Sequence, residues 1–164
     1  MNPSALNDRP QADHGGPLRV RELLARVAGH HLSLARYFHE LACANVDPLS
    51  SFATLVRWRH ASVAAELEHH AARQGCLALD GCLREAPDQR VLELLAAAPE
   101  LDAPSRVIVD YAFELERAFE GIFDELQANA RAAGLRAIIT ELATLELGVA
   151  ERLDAARLEL GYGS

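Results

Sequence analysis

The densest set of chemically capable side chains lies in AAELEHHAAR, residues 64–73, where Glu66, Glu68, His69 and His70 fall within five positions. In a helix, Glu66-x-x-His69 sets a carboxylate and an imidazole one turn apart on one surface, and Glu66 with His70 at i, i+4 does the same. Such pairs are ligands for iron, manganese or zinc. The same residues would equally serve as the solvated face of an amphipathic helix carrying two titratable histidines. Outside this stretch, His31 interrupts an apolar stripe and Glu116 and Glu146 border two others. What these residues can do depends on the elements that bring them together.

The chain has 164 residues, one domain by length, and half of them are apolar. Ala and Leu dominate, while β-branched and aromatic residues are sparse, so an all-α fold is expected. A net charge of -8 argues against nucleic acid and against an anionic membrane as partners, since both ask for a basic stripe. No run has the length and apolarity of a membrane span, and MNPSALNDRPQADHGGP lacks the apolar core of a signal peptide, so a cytoplasmic location is expected. Cys43, Cys76 and Cys82 make neither a disulfide framework nor a recognised zinc spacing.

Residues 1–17 mix Pro, Gly, Asn, Asp and His without period and read as a disordered tail, leaving 18–164 as the folded domain. Val20, Leu24, Val27, His31, Leu34, Phe38 and Leu41 recur at three and four, predicting a helix over 18–44. Asp47 and Pro48 supply stop and start chemistry, and a second helix follows over 49–74, ending at Gly75. About thirty residues of turn signals then surround one short apolar piece, 91–97. A third helix over 105–128 carries Ile108, Tyr111, Leu115, Phe119, Ile122 and Leu126, and a fourth over 135–160 carries Ile138, Leu142, Leu145, Val149 and Leu153. A single long crossover between the second and third helices of a four-helix bundle makes those two parallel and each flanking pair antiparallel.

The two halves echo each other. ARYFHELA on the first helix and EGIFDELQ on the third share an aromatic followed by x-Glu-Leu, and seven residues before each aromatic stand His31 and Glu116. VAAELEHHAA and LATLELGVAERL align Glu66 with Glu146 and His69 with Val149. Such pseudo-symmetry is expected where two helix pairs enclose one central site.

On these residues the chain resembles the ferritin-like superfamily, and within it the rubrerythrin-like group, over about 18–160. The family pattern is a Glu on helices one and three and a Glu-x-x-His on helices two and four, holding two iron or manganese ions. By position, the resemblance implies a metal set of His31, Glu66, His69, Glu116 and Glu146. Two places depart: His31 stands where a Glu is expected and Val149 where a His is expected. Three carboxylates with one or two imidazoles suit one divalent ion better than two. His70 is an alternative to His69, lying closer to the Phe52, Val56, Val63 stripe, and Glu151-x-x-Asp154 is a rival pair on helix four.

Two functional readings follow. In the first, a ferritin-like metal-binding protein reacts bound iron or manganese with dioxygen or peroxide as an oxidoreductase; with no C-x-x-C pair in the chain, it would take electrons from an external donor. In the second, a non-catalytic, metal-free ferritin-like bundle serves as an interaction or structural module, its old site filled by hydrogen-bonded side chains. A homodimer is expected in both.

Overall fold

The computed structural model describes residues 18–73, 79, 81–83, 85–130 and 133–161, and within these the side chains of all but 133, 134, 143, 145–153 and 159. The expected tail, residues 1–17, lies outside them. The chain is mostly helical: α1 (Val20–Ala44), α2 (Leu49–Ala72), α3 (Gln89–Ala96), α4 (Ser105–Asn129) and α5 (Ala133–Glu159), with β1 (Leu18–Arg19) and β2 (Cys82–Leu83) as a two-residue antiparallel pairing. The four long helices match the expected ones to within two residues at each end. The strand pairing was not expected, because two residues carry no periodic signal and the partners, Leu18 with Leu83 and Arg19 with Cys82, are far apart in the chain. The sequence pattern cannot see such a contact.

Each long helix forms because its apolar residues return every three or four positions and bury together. On α1 these are Val20, Leu23, Leu24, Val27, Ala28, Leu34, Phe38 and Leu41; on α4 they include Ile108, Leu115, Phe119, Ile122 and Leu126. Glu22 accepts the Arg19 amide proton at 3.0 Å, satisfying one free donor at the start of α1 and placing a negative charge by the positive end of the helix. At the far end, the Asn45 side-chain amide donates to Leu41 O at 2.9 Å and to Leu101 O at 3.1 Å, closing α1 and tying it to the crossover. Asp47, before α2, accepts a hydrogen bond from the Ser51 hydroxyl, and no side chain caps the start of that helix among the described residues.

Contacts between named pairs fix the helix directions. Ser50 Oγ reaches Ala42 O and the Arg21 guanidinium reaches Arg73 O, so α1 and α2 are antiparallel. The Tyr37 and Tyr111 rings meet at 5.9 Å and the His31 and Phe119 rings at 3.9 Å, so α1 and α4 are antiparallel too. Helices α2 and α4 therefore run the same way, the consequence of the long connection between them. The turn before α5 is closed by Arg136 Nε donating to Ala130 O at 3.1 Å, and the Arg157 guanidinium lies 5.1 Å from the Phe113 ring, which sets α5 antiparallel to α4.

The crossover is fastened rather than free. Asp88, fully buried just before α3, accepts from Arg26 Nη2 at 2.6 and 2.7 Å and from His30 Nε2 at 3.0 Å, both on α1. Burial works against the charge of this carboxyl. The bonds from His30 and Arg26, with the charge of Arg26, outweigh it and hold the group below its ordinary 3.8. Val91 and Leu94 of α3 enter the core, and the Tyr37 and Tyr111 hydroxyls donate to the crossover carbonyls of Pro99 and Leu94 at 3.0 and 3.2 Å. Among the described residues no helix is long and apolar enough to cross a membrane.

Because Asp88 takes three charge-assisted hydrogen bonds in a fully buried place, Asp88→Ala should lower the free energy of unfolding by about 2–3 kcal/mol. Urea denaturation with an unchanged slope would show the loss, and a change under about 0.5 kcal/mol, the ordinary range for surface positions, would mean the crossover is not held there.

Candidate functional site

A polar cluster sits in the middle of the apolar core. It is built from His31 of α1, Arg59 and His60 of α2 and Glu116 of α4, all buried. Each stands on its helix's inward stripe. On α2 that stripe runs Phe52, Val56, Arg59, His60, Val63, Leu67, so two polar residues interrupt an otherwise apolar row.

His31 Nδ1 and His60 Nδ1 are 2.8 Å apart. One must donate and the other accept, so the two rings are opposite tautomers: one keeps a bare Nε2, the other an Nε2–H. Both Nε2 atoms are buried and without a hydrogen-bond partner among the described residues. Phe119 stacks on His31 at 3.9 Å, and the Phe38 ring faces His60 at 5.8 Å. Burial, then the charges of His60, Arg59 and His30, push His31 well below the ordinary 6.5. Burial first and the Arg59 charge second take His60 down to about 3. Both imidazoles are therefore neutral at pH 7.

Arg59 Nη1 forms an ion pair with Glu116 Oε1, with both side chains almost wholly out of solvent. This links α2 to α4, two helices with only the crossover between them along the chain. The pair neutralises itself, and the cluster as a whole carries no net charge.

The structure places the sequence-derived residues as follows. His31 and Glu116 are both buried, and His31 stacks on Phe119, one turn beyond Glu116 on α4. Glu66 and His69 are exposed, away from them. The reason is axial: His31 meets His60, not Glu66, and six residues of helix put Glu66 about 9 Å further along. Residue 66 also falls just off the inward stripe and residue 69 well off it. Of the alternatives, His70 is buried with Glu141 Oε2 3.7 Å from its Nε2. The side chains of Glu146, Val149 and Glu151 lie outside the described residues, while Asp154 is exposed.

Neither His60 nor Arg59 was among the candidate site residues read from the sequence. Two signals could have found them. Both interrupt the apolar stripe of α2. And counting outward equally from the turn between Ala44 and Leu49, thirteen residues back is His31 and thirteen on is Ser62, which brings His31 to the level of Arg59 and His60.

Two iron or manganese ions bridged by carboxylates need several free carboxylates to offset their charge. Among the described side chains Glu116 is the one carboxylate in the cluster, and Arg59 engages it. No three His, Cys, Asp or Glu of the described residues converge as a metal-holding group. The described residues thus do not fit a carboxylate-bridged metal pair.

Two measurements probe this cluster. Since folding holds His31 and His60 neutral while the unfolded chain protonates them near 6.5, the stability they permit is complete above 6.5 and is lost as the pH falls toward about 3. For His60 alone the loss is on the order of 5 kcal/mol. Asp88 adds its own loss only below its ordinary 3.8. Urea midpoints should therefore fall steeply with acidification, and His31→Leu with His60→Leu should flatten the curve above about pH 4; an unchanged slope in that variant would contradict the assignment. Separately, Arg59→Met or Glu116→Leu alone should cost about 3–5 kcal/mol by stranding a buried charge, and the double variant should recover most of it. Purely additive losses would show that the two side chains are uncoupled.

Compared with known proteins, the chain matches no family model, no curated protein and no solved structure.

Proposed function

We propose that this chain is a ferritin-like bundle that works without a metal at its centre, a non-catalytic interaction or structural module. One observation carries the reading: Glu116, the carboxylate that the cluster could offer an ion, is engaged inside the core by the fixed positive charge of Arg59. The helix order and directions, with α2 and α4 parallel across a long crossover, support the ferritin-like part. No nucleophile or titratable group of the cluster reaches solvent, which suits a structural centre better than a reactive one. Interaction is then left to the outer faces, acidic overall and carrying the exposed Trp58 beside Arg57, and the partner we propose is a second copy of the chain.

A second reading, the metal-binding oxidoreductase, draws on the two buried Nε2 atoms of His31 and His60, which are neutral and therefore able to ligate. Bound iron or manganese would supply redox chemistry toward dioxygen or peroxide. For this chain's residues to hold it, Glu116 would have to leave Arg59.

Anaerobic titration of tag-free protein with Fe(II) and Mn(II), followed by oxygen, separates the two. The expected result is no binding that responds to Glu116→Gln or His31→Phe and no iron oxidation beyond the protein-free rate. Ion binding abolished by either substitution would overturn the metal-free reading and favour the second. Sedimentation equilibrium tests the outer faces: a dimer that Trp58→Glu dissociates is expected, and a monomer at all concentrations would remove the proposed partner.

A further inference from the structure

Helix α2 carries a second row of residues besides the one it buries: Thr54, Trp58, Ala61, Ala65, Glu68 and Ala72, at steps of four, three, four, three and four. A mean step of about 3.5 keeps residues in one row along a helix, the row that meets another helix in a coiled coil. This row faces solvent. Trp58 is 61% exposed, Ala65, Glu68 and Ala72 are exposed, and Thr54 and Ala61 are half-buried. Its hydroxyls are already engaged: Thr54 Oγ1 donates to Ser50 O at 2.9 Å and, beside the row, Ser62 Oγ donates to Trp58 O at 2.9 Å, so covering either strands no donor. Its charges are not. The Arg57 guanidinium lies 5.4 Å from the Trp58 ring, and among the described residues neither Arg57 nor Glu68 has an ionic partner.

We propose that this row binds the same row of a second copy of the chain, the two α2 helices packing antiparallel about a two-fold axis at the level of Val63. The residue types select that direction. Because the steps read the same from either end, reversal about Val63 sets Thr54 opposite Ala72, Ala61 opposite Ala65 and Trp58 opposite Glu68. Each facing pair is compatible: the central alanines let the helix axes approach to the near end of the usual range of about 8–10 Å, and the indole N–H meets a carboxylate that accepts it. Arg57 falls within one position of the same carboxylate. Every contact is made twice, as a two-fold interface requires. Packed parallel, the row would set Trp58 on Trp58 and Glu68 on Glu68, with like charges opposed.

Charge also selects this face. Two copies with a net charge of -8 repel over most of their surfaces, so they associate best where basic and acidic groups answer each other. Arg57 and Glu68, eleven residues and so about three turns apart on one side of α2, do so under the two-fold axis. The inference rests on the reading that the partner is a second copy, and adds the face and the direction.

The test is sedimentation equilibrium of the full-length, tag-free chain at neutral pH and low salt, with Arg57→Glu, Glu68→Arg and the variant carrying both. Both positions lie outside the core, and circular dichroism checks that each variant keeps its helix. The wild type should be a dimer. Each single substitution should weaken it at least about tenfold, since each puts two like-charge contacts across the interface. The double variant, which restores opposite charges in reversed order, should recover most of the affinity. General repulsion predicts otherwise: Glu68→Arg loses one negative charge and gains one positive, taking -8 to -6, and would tighten the dimer. A dimer that Glu68→Arg leaves unchanged or tightens, or that the double variant fails to restore, overturns the antiparallel row and leaves the second copy bound through another face. A monomer at all concentrations overturns this inference and the second-copy reading together.

Discussion

The ion pair between Arg59 and Glu116 is the interaction on which the arrangement of the helices depends. Helices α2 and α4 are neither joined by a short turn nor closely packed along their lengths, so apolar packing between them does little to set their level. A charged pair buried between them changes this. Taking each ion from water costs several kcal/mol, recovered only when the partners meet, so any slip that separates them strands two charges in the core. The pair adds little to stability compared with an apolar substitute. What it contributes is a single axial register.

The neighbouring contacts agree with that register. With Glu116 level with Arg59, Phe119 one turn further on lies against His31, and His31 lies against His60, the residue next to Arg59. The histidines can share a proton only if the helices are at this level, since the Nδ1 atoms must approach to hydrogen-bond distance. Two turns away, Tyr37 and Tyr111 meet edge to face and each gives its hydroxyl proton to a crossover carbonyl. Burial first, and then Glu100, pushes Tyr37 up to about 12, while burial and then Tyr37 raise Tyr111 further, so both remain donors. The crossover is thereby attached to α1 and α4 on one side and, through Asp88, to Arg26 and His30 on the other.

How much of this could be read from the sequence differs between fold and site. Helix positions were legible because burial repeats every three or four residues, and Val20 through Leu41 or Ile108 through Leu126 show it without help. Unequal connections were legible from turn residues. The internal repeat sets His31 and Glu116 at equivalent positions of the two halves, and both side chains are buried. What periodicity cannot supply is the axial offset between different helices. Glu66 and His69 carried the most suggestive spacing in the chain, yet a local i, i+3 pattern says which residues are neighbours on one helix, not what lies opposite. The turn between Ala44 and Leu49 sets that, and it puts Arg59 and His60 across from His31.

The cluster sets a permanent cation beside the carboxylate that a family-like pattern of residues would give to a metal. An ion with charge two or more needs carboxylates that nothing else neutralises, and it cannot easily share a core with a permanent cation. Arg59 is such a cation: its guanidinium does not lose its proton in a protein, so no rise in pH removes its charge from beside Glu116. A guanidinium also has what a metal lacks, a direction, giving planar donors that fix one orientation of the carboxylate. With an arginine on α2 beside Glu116, the charges of the cluster balance among its own side chains. The neutral histidine pair, with no charge left for it to balance, then packs between phenylalanines as an aromatic part of the core.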